Sequence, residues 1–247
     1  DAHLELQRQD TKLHLAKPTE HVRLLQLDLS AAFDRLEHRA ILEELEQRGA
    51  PAGLRKLVAS FLSDRTAFVQ VGAARSEPYS PGRGVPQGSS LSPLLFVLVL
   101  SGAHRLPCPP DIGMLSYADD LMIVSRAEAS AVVHCQEYVT QLLKWLAARG
   151  LVANAGKSGY LDLRLGRPKT PAPVPPPSVA GDPVPLKTSL RFLGAQIDDR
   201  LCFSEHWREV AKDSRRLVGT LWRALKSDKP AFRLAYTSLV EGRLGFA

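Results

Sequence analysis

Short apolar runs that alternate with longer amphipathic stretches predict a mixed protein of strands and helices. Residues 22–29 form an apolar run that ends on a carboxylate, which indicates a buried strand. Residues 112–116 and 121–124 are two further apolar runs with β-branched members, and both are too short for helices. Asp119 and Asp120 lie between these two runs. We therefore expect a β-hairpin that carries two adjacent acids at its tip.

Apolar residues at helical spacing predict several helices. A first amphipathic helix is expected to open at residues 30–34 and to end at Gly49, and Pro51 is suited to begin the second. Residues 66–71 return to a strand pattern, and a helix is expected from Pro93 to Leu100. The expected apolar stripes are Leu36, Ile41, Leu42 and Leu45, then Leu54, Leu57, Val58, Phe61 and Leu62, and later Val132, Cys135, Val139, Leu142, Leu143 and Leu146. A second hairpin is expected around residues 191–197, followed by basic helices from residue 205 onward.

Composition narrows the classes of function. The chain has 247 residues, a net charge of +6 and a pI near 9.4, which favours a polyanionic partner. Its three cysteines form no C-x-x-C pair, so neither a disulfide framework nor a zinc site is indicated, and a reducing, intracellular compartment is expected. The longest apolar run is too short to span a bilayer. Because the sequence opens on Asp1 rather than Met, we expect it to be a piece of a longer protein.

The two acids at the hairpin tip need compensation. Asp119 and Asp120 stand between runs that enter a core, with no Lys or Arg for several residues on either side, so their ionised forms are costly to desolvate. A divalent cation is a suitable counter-charge. The alternative is a solvated turn, because acids are common in turns.

Four segments stand in an order that resembles the palm domain of reverse transcriptases. They are DLSAAFD from Asp28, GVPQGSSLSP from Gly84, YADD from Tyr117 and FLG from Phe192. The sequences of these motifs are most similar to those of the non-LTR (LINE-type) retrotransposon enzymes. The supports for that subtype are AAFDRLEH ending at His38, SFLSDR ending at Arg65, SPLLF from Ser92, and His206 after FLG. The resemblance covers roughly residues 22 to 247.

The resemblance implies an α+β fold of the polymerase right-hand type. Its palm would be an antiparallel sheet with helices packed on one face, accompanied by partial fingers and a helical thumb. The expected divisions are 1–21 as a lead-in or partial fingers, 22–200 as the palm, and 201–247 as the start of the thumb. Within the palm region we expect a fingers-like helical segment at 35–80 and a proline-rich excursion at 168–177.

The resemblance also implies an RNA-directed DNA polymerase that adds dNTPs to a primer 3′-hydroxyl with two Mg²⁺ ions, or with Mn²⁺ in their place. Asp28 and Asp119 are the expected bridging ligands, Asp120 is an auxiliary ligand, and the Leu29 carbonyl is a further oxygen. Taken alone, Asp28 is better interpreted as the N-cap of the following helix. The metal site therefore depends on two strands lying side by side.

Other residues acquire expected roles in substrate binding. Phe33 would lie below the nucleotide sugar and exclude a ribose 2′-hydroxyl, although a buried Phe is more often core. Gln87 and Gly88 would lie beside the incoming nucleotide, and Tyr117 is placed with them; Gly84 and Gly88 could instead shape a turn. Lys157 would donate a proton to pyrophosphate, or is an ordinary exposed loop lysine.

Two later segments would hold nucleic acid. Phe192, Leu193 and Gly194 resemble the hairpin that grips the primer end, with plain strand core as the alternative. The basic thumb would bind phosphates of the template–primer duplex without reading sequence, although a charge run is commonly a solvated face. Its expected contacts are Arg208, Lys212, Arg215, Arg216 and Arg223.

Departures from the family pattern keep other functions open. Residues 1–21 hold Arg8, Lys12 and Lys17 but no match to the fingers strands that clamp the triphosphate. The partners implied are an RNA template, a DNA or RNA primer, dNTPs and other domains of a larger polyprotein, in a nuclear or cytoplasmic ribonucleoprotein. The alternatives are a catalytically inactive or domesticated module that binds RNA, and a group II intron maturase, which fits the motif wording less well.

Overall fold

A four-stranded antiparallel sheet forms the centre of the protein. The structure, a computed structural model, describes residues 22–126, 129–163 and 175–242. Its strands are β1 Val22–Leu27, β4 Ile112–Tyr117, β5 Asp120–Arg126 and β6 Gly159–Leu163. They lie in the order β4-β5-β1-β6, so that β1 pairs with both β5 and β6. The predicted strand and Asp-Asp hairpin are confirmed, and they are neighbours in one sheet.

The sheet is buried on both faces, which explains why its strands are continuous apolar runs rather than alternating ones. Leu25 and Leu27 of β1 face a cluster that includes most of the helices. Leu24, on the other face, packs in a second cluster with Met122 and Leu161. The predicted arrangement, with helices on one face of an antiparallel sheet, is therefore confirmed, and the opposite face is covered by a separate hairpin.

The helices on the first face agree with the predicted stripes, with one break. The region predicted as a single helix before Gly49 is two helices, because the chain turns extended at Leu36 (φ −58°, ψ 122°). Gly84 N–H donates to the Leu36 carbonyl and Glu37 N–H donates to the Arg149 carbonyl, so contacts with distant segments replace helical hydrogen bonds there. The helices are α1 Ala32–Arg35, α2 His38–Gln47, α3 Ala52–Leu62, α4 Leu91–Leu100 and α5 Ala129–Ala147, with a 3₁₀ turn at Ser101–Arg105.

The segment between α3 and α4 contains less regular structure than predicted. The expected strand at 66–71 is reduced to a bridge between Ala67 and Tyr79 and a short hairpin of β2, Gln70–Val71, and β3, Ala74–Arg75. Among the described residues, this segment lies outside the main sheet, so it has no neighbouring strand there whose hydrogen bonds would lengthen its own strands. Of the second predicted stripe, Leu54 and Leu57 are exposed, so only part of it belongs to the core. Helix α4 begins at Leu91, slightly before the predicted Pro93.

A second hairpin and two helices follow the sheet. Strands β9, Ser189–Phe192, and β10, Ala195–Asp198, pair antiparallel, as predicted. The Gln26 side chain donates to the Arg191 carbonyl at 2.8 Å and ties this hairpin to β1. The smaller strands β7, Ser178–Val179, and β8, Asp182–Pro183, precede it, and helices α6, Ser204–Leu225, and α7, Lys229–Tyr236, follow it, before a π-helical turn at Thr237–Glu241.

Some predictions fall outside the described residues. These are the lead-in at 1–21 and positions 168–174 of the proline-rich excursion. Of the prolines that close that excursion, Pro177 is buried, and the Pro175 carbonyl accepts a hydrogen bond from Arg23 at 2.9 Å. Across the three described ranges, no helix combines the length with the hydropathy needed to cross a membrane.

A buried ion-pair network joins α2 to the 3₁₀ turn. The Glu44 carboxylate is 2% exposed and accepts hydrogen bonds from Arg105 at 2.7 and 2.8 Å and from Arg48 at 2.8 Å. Burial raises the pKa of Glu44, but the hydrogen bonds and charges of Arg105 and Arg48 outweigh that effect, so its pKa is lowered. A lowered folded-state pKa means that this carboxylate stabilises the fold above the ordinary Glu pKa and loses that contribution as pH falls through the lowered value.

We expect Glu44→Gln to lower the free energy of unfolding at pH 7 by about 1–3 kcal/mol, because it removes a charged partner from two arginines. The loss should shrink as the pH falls below the ordinary Glu pKa and through the lowered value, because the carboxylate itself becomes protonated. Urea unfolding across that pH range measures it. Glu43→Gln is the matched control, since the Arg39–Glu43 pair is exposed and should contribute under about 0.5 kcal/mol. Equal losses in both variants would contradict the prediction.

Candidate active site

Carboxylates from two distant parts of the chain meet at one edge of the sheet. In the β1–β5 ladder Leu27 pairs with Leu121, so Asp28 and Asp120 are the next residues along the same register. Asp119 precedes Asp120 in the turn that joins β4 to β5, where Ala118 adopts a left-handed conformation (φ +50°). Asp28 and Asp120 are half-buried, whereas Asp119 is exposed. The strand pairing therefore brings together the acids that the sequence placed about ninety residues apart.

Negative charge accumulates at this edge of the sheet, where the three carboxylates influence one another. Burial raises the pKa of Asp120, and the negative charges of Asp119 and Asp28 raise it further. Carboxylates that destabilise one another in this way fit a hard divalent cation, which prefers oxygen ligands. Within the described ranges no three His, Cys, Asp or Glu side chains are grouped so that they could hold a metal ion by themselves.

We expect Asp120→Asn to stabilise the protein in buffer free of divalent cations. Because the folded-state pKa of Asp120 is raised, its ionised form opposes folding at neutral pH, and that cost disappears at low pH. Like charges at opposed strand positions cost about 0.2–1 kcal/mol, which is the gain expected at pH 7. Thermal unfolding at pH 7 and at pH 4 measures it. A lower melting temperature for the variant at pH 7 would contradict the prediction.

The loop before β6 is attached to the main chain of Asp28. Asp28 N–H donates to the Ser158 hydroxyl at 3.1 Å, and its carbonyl accepts from Asn154 N–H at 2.9 Å. Leu29 is buried and forms a bridge with Ala153. Lys157 lies in this same loop and is exposed, with its backbone N–H donating to the Asn154 side chain at 3.2 Å. The structure thus brings the loop of Lys157 to the carboxylate edge.

The segment that follows Asp28 meets the Gly-Val-Pro-Gln loop. Phe33, in α1, is half-buried and stacks on Phe96 of α4 with ring centroids 4.5 Å apart. Gly84 N–H donates to the Leu36 carbonyl and Val85 N–H donates to the Phe33 carbonyl, both at 2.8 Å. Phe33 therefore packs against the core on one side while its backbone anchors the loop. The contact with Phe96 agrees with the alternative prediction, that Phe33 packs in the core.

The remaining candidate binding residues are exposed. Gln87 is exposed, and its side-chain amide donates to the Asp34 carboxylate at 3.1 Å. Gly88 is exposed and has φ +89°, a conformation that glycine adopts readily. Tyr117, the last residue of β4, is 67% exposed. These three residues are therefore accessible to a ligand.

The predicted nucleic-acid contacts form a separate group. Phe192 packs partly against the second core cluster, and Leu193 and Gly194 form the β9–β10 turn with φ values of +49° and +85°. Helix α6 packs against β10 and α7, so it is attached to the hairpin rather than to the carboxylate edge. Its exposed basic residues are Arg208, Lys212, Arg215, Arg216 and Arg223.

Four residues that organise the site carry no role in the sequence-based predictions. Asn154 and Ser158 hold the backbone of Asp28, and His38 and Arg65 contact the carbonyl of Gly84 at 2.9 and 2.8 Å. Arg65 and His38 belong to the segments that carry the subtype resemblance, and that is the single signal that pointed to them. Hydrophobic periodicity does not mark polar residues that act through backbone contacts.

Comparison with known proteins gives the family. The family model for reverse transcriptase (RNA-dependent DNA polymerase) matches residues 3–197. The match begins well before the first motif, so the family region extends into the segment that the motifs left outside, and it ends before α6. "Probable RNA-directed DNA polymerase from transposon X-element" of Drosophila melanogaster is 32% identical over 84% of this chain and 23% of its own length.

A second relative is similar to this chain in sequence, and a solved structure is similar to it in fold. The Pol polyprotein of the type-2 retrotransposable element R2DM from Drosophila melanogaster is 32% identical over 58% of this chain and 14% of its own length. The chain thus spans about a quarter or less of these relatives. A structure of Candida tropicalis telomerase in complex with a TWJ fragment of telomeric RNA matches 98% of this chain and 40% of its own with a TM-score of 0.55 and 13% identity, which supports the fold. The chain belongs to the reverse transcriptase (RNA-dependent DNA polymerase) family, and within it to the non-LTR retrotransposon type that its motifs indicated.

Proposed function

We propose that this chain is the core of an RNA-directed DNA polymerase that adds dNTPs to a primer 3′-hydroxyl during non-LTR retrotransposon replication. The observation that carries the proposal is the pairing of β1 with β5, which sets Asp28 beside the Asp119-Asp120 turn. The family match supports the reaction class. The relatives are much longer than this chain, so other domains of a polyprotein belong to the proposal, as does a place in an intracellular ribonucleoprotein.

Polymerases of this family generally use divalent metal ions, and the carboxylate edge has the chemistry to hold them. We assign Asp28 and Asp119 as the ligands, with Asp120 as an auxiliary group and the Leu29 carbonyl as a further oxygen. Two protein carboxylates suit Mg²⁺, which takes its remaining ligands from substrate phosphate and water. Two such ions, when bound, lower the pKa of the attacking hydroxyl and stabilise the charge on the leaving pyrophosphate.

The neighbouring residues supply position and proton transfer. Phe33, fixed by its stack on Phe96, blocks the space of a ribose 2′-hydroxyl. Gln87 and Gly88 of the exposed loop, together with Tyr117 at the end of β4, contact the incoming nucleotide. Lys157, on the loop attached to Asp28, donates a proton to the departing pyrophosphate. Of these groups, Gln87, Gly88, Tyr117 and Lys157 are exposed.

The nucleic acid itself lies along the second part of the chain. Phe192, Leu193 and Gly194 hold the primer end, and the five basic residues of α6 bind phosphates of the RNA template–primer duplex. In domain terms, 22–200 forms the palm with a fingers-like segment at 35–80, and 201–247 begins the thumb.

Primer extension tests the proposal. The 247-residue chain, alone and with upstream residues of its reading frame added, is supplied with an RNA template, a DNA primer, dNTPs and Mg²⁺, beside Asp119→Ala. We expect extension by the unmodified chain and none above background by the variant. If both give the same signal, the catalytic function is wrong. Filter binding of duplex and single-stranded RNA to the same proteins then tests the alternative, a non-catalytic RNA-binding module.

A further inference from the structure

One guanidinium connects the end of α3 to the loop that carries Gln87. Arg65 Nε donates to the Leu62 carbonyl at 3.2 Å, and its Nη2 donates to the carbonyls of Gly84 at 2.8 Å and Arg83 at 3.1 Å. The Arg65 carbonyl in turn accepts from the Ser80 hydroxyl at 2.8 Å. Arg65 is half-buried, so these carbonyls replace water as its partners.

The carbonyl of Gly84 is held from two sides. His38 Nε2, at the start of α2, lies 2.9 Å from this oxygen and 3.1 Å from Arg65 Nη2. The backbone around it is equally constrained, because Gly84 and Val85 donate to the carbonyls of Leu36 and Phe33. Gly84 is buried, so the loop has little freedom at the point where it crosses α1.

The constraint at Gly84 extends to Gln87, which lies three residues later at the exposed end of the loop. The Pro86 carbonyl accepts from the buried Ser92 at 2.6 Å, which fixes the loop on α4. Between these two anchors and the Asp34 carboxylate, Gln87 is presented on a short, fully attached segment. Arg65 is the member of this set that comes from outside α1, α2 and α4, and it links the loop to the end of α3.

We propose that Arg65, acting with His38 through the carbonyl of Gly84, is a positioning residue that places Gln87 for the incoming nucleotide. This inference rests on the proposed polymerase function and adds to it a residue that does not touch substrate. An arginine is required because its planar fork reaches three carbonyls in different directions, whereas a lysine ammonium is a compact donor on a flexible stem. Arg65→Lys should therefore rescue part of what Arg65→Met loses.

Amide hydrogen exchange of the full 247-residue chain tests the contact without requiring activity. Arg65→Met should speed exchange in residues 80–88 by about fivefold or more, because the amides of Gly84 and Val85 lose their support. Arg55→Met is the matched control: it removes an equal charge from α3, where Arg55 pairs with Glu46. Unchanged exchange in 80–88, or the same acceleration in both variants, overturns the proposal. If Arg65→Met does not fold, Arg65→Lys and His38→Asn replace it.

Nucleotide kinetics then separate positioning from mere support of the fold. With a poly(rA) template and an oligo(dT) primer, Arg65→Met should raise the KM for dTTP about tenfold and leave kcat within about threefold, with unchanged template–primer affinity. Arg65→Lys should fall between, and Arg55→Met should match the unmodified chain. Faster exchange in 80–88 with an unchanged KM overturns the proposal. If the unmodified chain extends no primer, the polymerase function fails, and equilibrium binding of dTTP to the chain–template–primer complex decides on Arg65 by the same comparison.

Discussion

Asp28→Asn is expected to reduce primer extension by at least about a thousandfold while the protein remains folded. The substitution keeps the size of the side chain but removes the negative charge that a divalent cation needs, and groups that act as one catalytic unit lose activity on this scale. The fold should not suffer, because the amide removes one of the two charges that raise the pKa of Asp120. Single-nucleotide addition and thermal unfolding, measured on the same preparation, check both statements.

Two controls make this prediction specific to the carboxylate edge. Asp182→Asn removes an equal charge from an exposed position in β8 and should leave the rate within about twofold. The double variant Asp28→Asn with Asp119→Asn should be little worse than either single variant, because residues that act together lose their function together. Additive losses from the two positions would show that Asp28 and Asp119 act independently. An active Asp28→Asn variant would show that Asp28 has no catalytic role.

The carboxylate edge is the part of the site that the sequence predicts well. Asp28 ends an apolar run and Asp119-Asp120 separates two others, so strand propensity alone places each acid at a strand end. That β1 and β5 are neighbours does not follow from either run. It followed from the order of the four motifs, and the observed ladder from Val22 to Leu27 agrees with it.

Residues whose partners are distant in sequence were less predictable. Arg23 lies inside an apolar strand yet is 3% exposed, because Asp162 on β6 binds its guanidinium at 2.7 and 3.0 Å. The break at Leu36 has a similar origin, since its carbonyl bonds to Gly84 rather than along a helix. Helical periodicity continues through such a break without a sign of it. Tertiary hydrogen bonds decided both features, and a local pattern does not contain them.

Glycines show the same limit, because two with similar backbone angles can differ in their surroundings. Gly84 has φ +77° and Gly72 has φ +60°, so an alanine is strained at both positions. A Cβ at Gly84 would lie 2.6 Å from the Asp34 carbonyl oxygen and within 2.8 Å of two more backbone atoms of Asp34, whereas a Cβ at Gly72 would meet nothing within 4 Å. Backbone cannot rotate aside as a side chain can, so the contact between the loop and α1 must open.

We therefore expect Gly84→Ala to lower the free energy of unfolding by about 3 kcal/mol or more, of which about 1–2 kcal/mol is backbone strain and the rest is the steric clash. Gly72→Ala should lose the strain alone, about 1–2 kcal/mol. Urea unfolding of both variants measures the difference. Primer extension at a temperature where both remain folded should fall in Gly84→Ala, because the shifted loop carries Gln87, and should be retained in Gly72→Ala. Equal destabilisation of the two variants would mean that the loop and α1 are not in the contact described, and the placement of Gln87 beside Asp34 would fall with it.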